Sequence, residues 1–111
     1  IMQMSLLSIN APIRIGRATV FPGDVVLAKK FGVIFIPAHL VDELVITAEV
    51  TALRDEFGHL RLKEGTYKPG QIDSRWTEDI RKDFMNWLNN YPGKLPMTKA
   101  ELDNYFKDRN W

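Results

Sequence analysis

The spacing of apolar positions changes once along this chain, from the alternation expected of strands to the three-to-four-residue recurrence expected of helices. Ser5 to Ile9 is a β-prone run closed by Asn10-Ala11-Pro12, after which Ile13, Arg14 and Ile15 alternate apolar, polar, apolar, as a half-buried strand does. Gly16-Arg17 predicts a tight hairpin leading into Ala18 through Phe21, because glycine tolerates the positive φ such turns need. Pro22-Gly23 predicts a type II turn, with Asp24 placed to accept hydrogen bonds from the turn amides, an architectural role. Val25 to Ala28 and Val33 to Ile36 are continuous apolar runs rich in β-branched residues, joined by Lys29-Lys30-Phe31-Gly32. Runs of that kind predict strands buried on both faces.

Pro37 ends the β region, and from about Ala38 the period lengthens. Leu40, Leu44, Ala48 and Ala52 recur every four residues with Val41 and Val45 beside them, which predicts an amphipathic helix reaching to Gly65. Gly58 inside it costs about 1 kcal/mol relative to alanine. Tyr67 to Ile72, with Pro69-Gly70, reads as a loop, and Asp73 as the cap of a second helix. The stripe of that helix is Trp76, Ile80, Phe84, Trp87 and Leu88, with Tyr91 beyond, and Pro92-Gly93 stops it. Thr98 and Glu101 form a capping box, with Met97 and Leu102 at the staple positions, so a short third helix to about Asp108 is expected.

Composition narrows the function classes. At 111 residues, 45% hydrophobic and 26% charged, the chain has ordinary globular character, and a net charge of +1 supplies no field suited to nucleic acid. With no cysteine, disulfides, thiolate metal sites and a cysteine nucleophile are excluded; a cytoplasmic setting fits. No apolar run reaches the roughly 18 residues of a membrane span. A first residue of Ile1 suggests a chain cut from something longer or numbered after loss of a leader.

Residue by residue, the candidate chemistry is thin. His39 and His59 have no ligand-spaced companions, so they read as surface histidines rather than a metal pair. Ser5, Ser8 and Ser74 lack a nucleophile-elbow context. Lys29-Lys30 sits where it could touch a phosphate, but solvating the turn and discouraging edge pairing is the stronger reading. The aromatic residues Trp76, Phe84, Trp87, Tyr91, Tyr105, Phe106 and Trp111 have helical spacing, which points to a core or subunit interface rather than a base-stacking platform. Asp55 and Glu56, among Arg54, Arg61 and Lys63, read as a solvated face with i,i+4 pairs. No glycine-rich loop with a downstream acidic residue is present to hold a nucleoside cofactor.

Three segments taken together are more informative. Asn10-Ala11-Pro12-Ile13-Arg14-Ile15-Gly16, Thr19-Val20-Phe21-Pro22-Gly23-Asp24-Val25-Val26 and Gly32-Val33-Ile34-Phe35-Ile36-Pro37 resemble, in order and spacing, the end of the β domain of the RraA-like and 4-hydroxy-4-methyl-2-oxoglutarate aldolase family. The match covers about residues 6 to 53; residues 66 to 111 look like a lineage-specific extension. The resemblance implies an α/β chain: the β-rich half of a swivelling β/β/α domain with its long helix over residues 1–65, then two C-terminal helices over 66–111 packed on the same domain or a neighbouring subunit. It implies a trimeric or hexameric homo-oligomer that cleaves or decarboxylates a small 2-oxo acid with a divalent metal, magnesium or manganese, polarising the substrate. The family's Arg-Asp pair and glycine-rich loop lie upstream of the matched segment, and Arg54-Asp55, on a helix after the β region, is not that pair. This segment is therefore expected to scaffold and oligomerise the enzyme, to be inactive alone and to bind no metal itself. Two departures are Lys29-Lys30-Phe31, where many members carry an acidic residue, and the C-terminal helix, whose Asp55 or, as the preferred choice, Glu56 takes the place of an acidic side chain lent to a neighbouring subunit's site. The alternative is a regulator that acts by contacting another protein without turnover, and a second is a free-standing binding module.

Overall fold

The computed structural model describes residues 3–107 and 109. The chain is mixed α/β, with two small antiparallel sheets followed by helices, and it divides into two compact units, Ile1–Val45 and Ile46–Trp111.

The first unit is built from two hairpins. β1 (Ile13–Ile15) pairs with β2 (Ala18–Val20) in the register Ile13 to Val20 and Ile15 to Ala18, leaving Gly16-Arg17 as a two-residue loop. Gly16 has φ +59°, the first central position of a II′ turn. The Pro22-Gly23 turn forms as its residues predict: Asp24 N–H donates to the Phe21 carbonyl at 3.1 Å, Gly23 takes φ +90°, and the Asp24 carboxylate accepts from Phe21 N–H at 2.9 Å. β3 (Val25–Lys29) then pairs with β4 (Gly32–Ile36) around Lys30-Phe31, with Val25 opposite Ile36.

Two expectations for this unit fail. The β-prone run from Ser5 to Ile9 forms no strand, because a strand exists only where its backbone groups find a partner. The two apolar runs do pair, but they are not buried on both faces: Val26 and Ile34 are each 57% exposed, and Val20 is the one buried residue among those described in this unit. A two-stranded ribbon carries no second layer, so apolar composition alone cannot bury it.

A 3-10 turn at Ala38–Leu40 leads into α1 (Val41–Glu64), whose end has the geometry of a Schellman cap. Gly65 takes φ +73° and donates to Leu62 O at 3.1 Å, while Thr66 N–H reaches Arg61 O at 3.0 Å. The buried face of α1 is Val50, Leu53, Phe57 and Gly58, not the expected stripe. Leu40, in the 3-10 turn, and Leu44, Ala48 and Ala52 are exposed, and at about 100° per residue the last three lie on the opposite side of α1 from Val50, Leu53 and Phe57. The helix thus has two apolar faces, and the aromatic residues downstream occupy only one of them.

Those aromatics make the second unit. Pro69–Ile72 is one helical turn, α2, where the sequence predicts a loop: proline presets the first φ, and Gln71 Oε1 accepts from Lys68 N–H at 2.9 Å. Asp73 consequently closes α2 instead of opening the next helix, its N–H donating to Pro69 O at 2.9 Å. Trp76 is buried before α3 begins, with its indole N–H on the Ile72 carbonyl at 2.9 Å. α3 (Glu78–Asn89) starts after Thr77 and buries Ile80, Phe84 and Leu88. α4 (Lys99–Lys107) opens on the expected capping box: Glu101 accepts from Thr98 N–H at 2.8 Å, and Glu101 N–H donates to Thr98 Oγ1 at 3.3 Å. Met97 and Leu102, the staple pair, both join the core; Asp108 and Trp111 lie outside the described residues. The core is centred on Phe57, whose ring meets Trp76, Phe84 and Trp87 at centroid distances of 5.5, 5.2 and 5.7 Å.

Gly58 proves to be a packing residue. A Cβ there would lie 2.8 Å from Ile72 Cγ2, so the missing side chain is what lets α2 approach α1. Gly58→Val is expected to cost about 1–2 kcal/mol despite relieving a helix glycine. Urea unfolding checks it, with Ile72→Ala expected to restore part of the loss by vacating the contact. No helix among the described residues is long and apolar enough to cross a membrane.

Candidate functional site

Glu56, the acidic residue that the family resemblance puts forward, is exposed on α1. The helical repeat places Glu49, Ala52, Leu53 and Glu56 along one side, where with Tyr91, Lys94 and Pro96 they line a shallow groove of about 200 Å³. Tyr91, two residues past α3, donates its hydroxyl to Glu56 Oε2 at 2.7 Å across 35 residues of sequence. That hydrogen bond, with lesser contributions from desolvation and from the carboxylate's charge, holds the phenol above its ordinary range. Asp55, the other acidic candidate, is exposed one residue earlier.

A larger groove of about 580 Å³ shares Glu49 and Pro96 with the first and continues along Ile46, Met97, Glu101, Asn104, Tyr105 and Arg109. Its charged groups have local duties. Glu101 is held below the usual carboxylate range by the Thr98 hydroxyl, which donates at 2.7 Å, and by the Thr98 backbone. Arg109 lies 4.5 Å above the Tyr105 ring and donates to Thr47 Oγ1 at 3.4 Å and Tyr105 Oη at 3.3 Å. The sequence assigns Tyr105 to packing alone and does not disclose this groove, because its walls come from positions more than forty residues apart.

The best-formed ion pairing on α1 runs between elements, which the sequence pattern of i,i+4 charges does not anticipate. Arg61 grips Asp83 on α3 with two hydrogen bonds, Nε to Oδ2 at 2.8 Å and Nη2 to Oδ1 at 2.7 Å. Tyr67 donates to the same Oδ2 at 3.0 Å, and Glu64 takes the remaining Arg61 edge at 2.8 Å. Asp83 is thereby pulled below the usual carboxylate range, chiefly by the Arg61 hydrogen bonds, and Arg61 is raised well above its own. This half-buried clamp binds α1 to α3 and presents no free chemical group to a substrate.

The remaining candidates stay apart. His39 and His59 are both exposed, on the 3-10 turn and on α1, and Lys29 and Lys30 are exposed at the second hairpin. Ser74 donates to the Gln71 carbonyl at 3.4 Å. Among the described residues no three of histidine, cysteine, aspartate and glutamate gather to hold a metal ion. The groove of Glu56 is lined by two carboxylates, Glu49 and Glu56, where magnesium or manganese takes several oxygens, so the residues present do not by themselves form the divalent-metal site that the family resemblance implies. No protein-family model, curated protein or solved structure matches the chain.

Proposed function

We propose that this chain is the structural and oligomer-building C-terminal part of an RraA-like, metal-dependent 2-oxo acid aldolase or decarboxylase, and that it is inactive by itself. In this reading residues 1–65 complete a swivelling β/β/α domain, and residues 66–111 pack on that domain or on a neighbouring subunit of a trimer or hexamer. The observation that supports it is the uncovered apolar surface of the first unit. Both strands of the second hairpin expose apolar side chains, and Leu40 and Leu44, at 39% and 45% exposure, extend that character into the 3-10 turn and the start of α1. Surface of this kind normally marks where another layer packs. The catalytic metal and its ligands belong, on this reading, to the part of the enzyme that supplies that layer. Glu56, exposed on α1, is the side chain offered to a neighbouring subunit.

Magnesium-dependent pyruvate release from oxaloacetate and from 4-hydroxy-4-methyl-2-oxoglutarate tests the reading, with this chain run beside the longer protein that contains it. Turnover by the longer protein alone is expected. Turnover by neither rejects the enzyme. The same apolar surface also suits a regulator that contacts another protein, and metal-independent, stoichiometric inhibition of a ribonuclease would select that second reading. Turnover by this chain alone would overturn the claim that it lacks a catalytic centre.

A further inference from the structure

Tyr91, two residues beyond α3, packs against the core. Its N–H donates to Leu88 O at 3.2 Å, and its ring meets Trp87 edge to face at 4.9 Å. On another side it lies against Gly93, where a Cβ would stand 2.7 Å from Tyr91 Cε1. The Pro92-Gly93 pair therefore does more than stop α3, since glycine at 93 makes room for the ring. Backbone and ring are fixed by these contacts, and the hydroxyl is carried to Glu56 Oε2 at 2.7 Å. Packing against the core accounts for the place of the ring, whereas the hydrogen bond to an exposed carboxylate adds little to stability, so the contact of the hydroxyl with Glu56 is the feature left to explain. The bond engages Glu56 Oε2 and so favours one orientation of the carboxylate, in the groove that Glu56 lines with Lys94.

We propose that Tyr91 is a positioning residue for Glu56, so that the C-terminal helical segment fixes the acidic side chain that the enzyme reading lends to a neighbouring site. The proposal rests on that reading. It extends it by giving residues 66–111 a part in the reaction beyond covering surface. Orientation is what is at stake: a catalytic group free to turn loses rate without losing substrate affinity.

The test is steady-state pyruvate release from oxaloacetate with magnesium, using the intact protein that contains this chain and Tyr91→Phe, Gly93→Ala, Glu56→Gln and the Tyr91→Phe/Glu56→Gln double variant. Tyr91→Phe keeps the ring and its packing, and is expected to lower kcat about tenfold with KM within about twofold and the thermal midpoint unchanged. Gly93→Ala keeps the hydroxyl but displaces the ring, and should lower kcat in the same direction. Glu56→Gln should lower kcat at least as far, and the double variant no further than Glu56→Gln alone. Full activity of Tyr91→Phe, or additive losses in the double variant, overturns the inference while the enzyme reading stands. Full activity of Glu56→Gln also overturns it. Absence of turnover in the unmodified protein defeats the enzyme reading and this inference together.

Discussion

Phe57→Ala is expected to remove about 3–5 kcal/mol from the helical unit, the cost of emptying a large aromatic site in a packed core. Phe57 is 0% exposed and its ring lies between Trp76, Phe84 and Trp87, so no solvent-facing movement can fill the space it leaves. A domain is stabilised by only about 0.05–0.15 kcal/mol per residue, so the loss is a large fraction of what a unit of this size holds. Urea unfolding followed by tryptophan fluorescence measures the effect, since Trp76 and Trp87 both touch the vacated position. Phe31→Ala is the internal comparison. Phe31 is 94% exposed at the tip of the second hairpin, and its removal should change stability by less than about 0.5 kcal/mol. Equal effects from the two substitutions would mean that the core is not where the structure places it.

Asp83→Ala is expected to cost about 2–3 kcal/mol, because it removes the acceptor of two charge-assisted Arg61 bonds and of the Tyr67 hydroxyl together. The clamp is half-buried, with side-chain exposures of 19% for Arg61 and 27% for Asp83, and Arg61 retains Glu64, so the loss stays below that of a deeply buried pair. The pH dependence follows from the signs of the shifts. Asp83 is depressed from 3.8 in the folded chain, so its contribution is complete above that value and is lost as pH falls through the lower folded pKa. Tyr67 is raised from 10.0, first by desolvation and then by its bond to Asp83. Its contribution is therefore present below 10.0 and is lost as pH rises through the higher folded value. Arg61 stays charged throughout. Stability measured against pH should fall on the acid side in the unmodified protein and fall less steeply there in Asp83→Ala; identical acid limbs would show that Asp83 is not the group responsible.

Local chemistry makes several features legible in the sequence. Gly16-Arg17, Pro22-Gly23-Asp24, Gly65 and the Thr98-Glu101 box each act within a few residues through backbone φ and short-range hydrogen bonds, and each forms as expected. The aromatic stripe of α3 is legible for the same reason: Ile80, Phe84 and Leu88 recur at the helical period, and one face of a helix must be buried. Asp73 shows the limit of such reasoning. Its side chain suits a helix start, but Pro69 and Gln71 nucleate a turn just upstream, and Trp76 must enter the core before α3 can begin.

Tertiary structure decided what the period could not. α1 carries apolar residues on two sides, and a one-dimensional pattern does not say which side meets a partner: the regular Leu40, Leu44, Ala48, Ala52 stripe is exposed, while Val50, Leu53 and Phe57 take the core because the α3 aromatics pack there. By helix propensity alone Gly58 is a defect; against Ile72 it is a packing requirement. The family resemblance, not the residue pattern, singles out Glu56 as a candidate, and its partner Tyr91, 35 residues away, depends on how the end of α3 returns to α1. The sequence by itself determined where turns fall, where helices end and which residues are apolar enough to require burial, since those are properties of neighbouring residues. Which apolar face is covered, and which charged groups meet, depended on distant segments coming together.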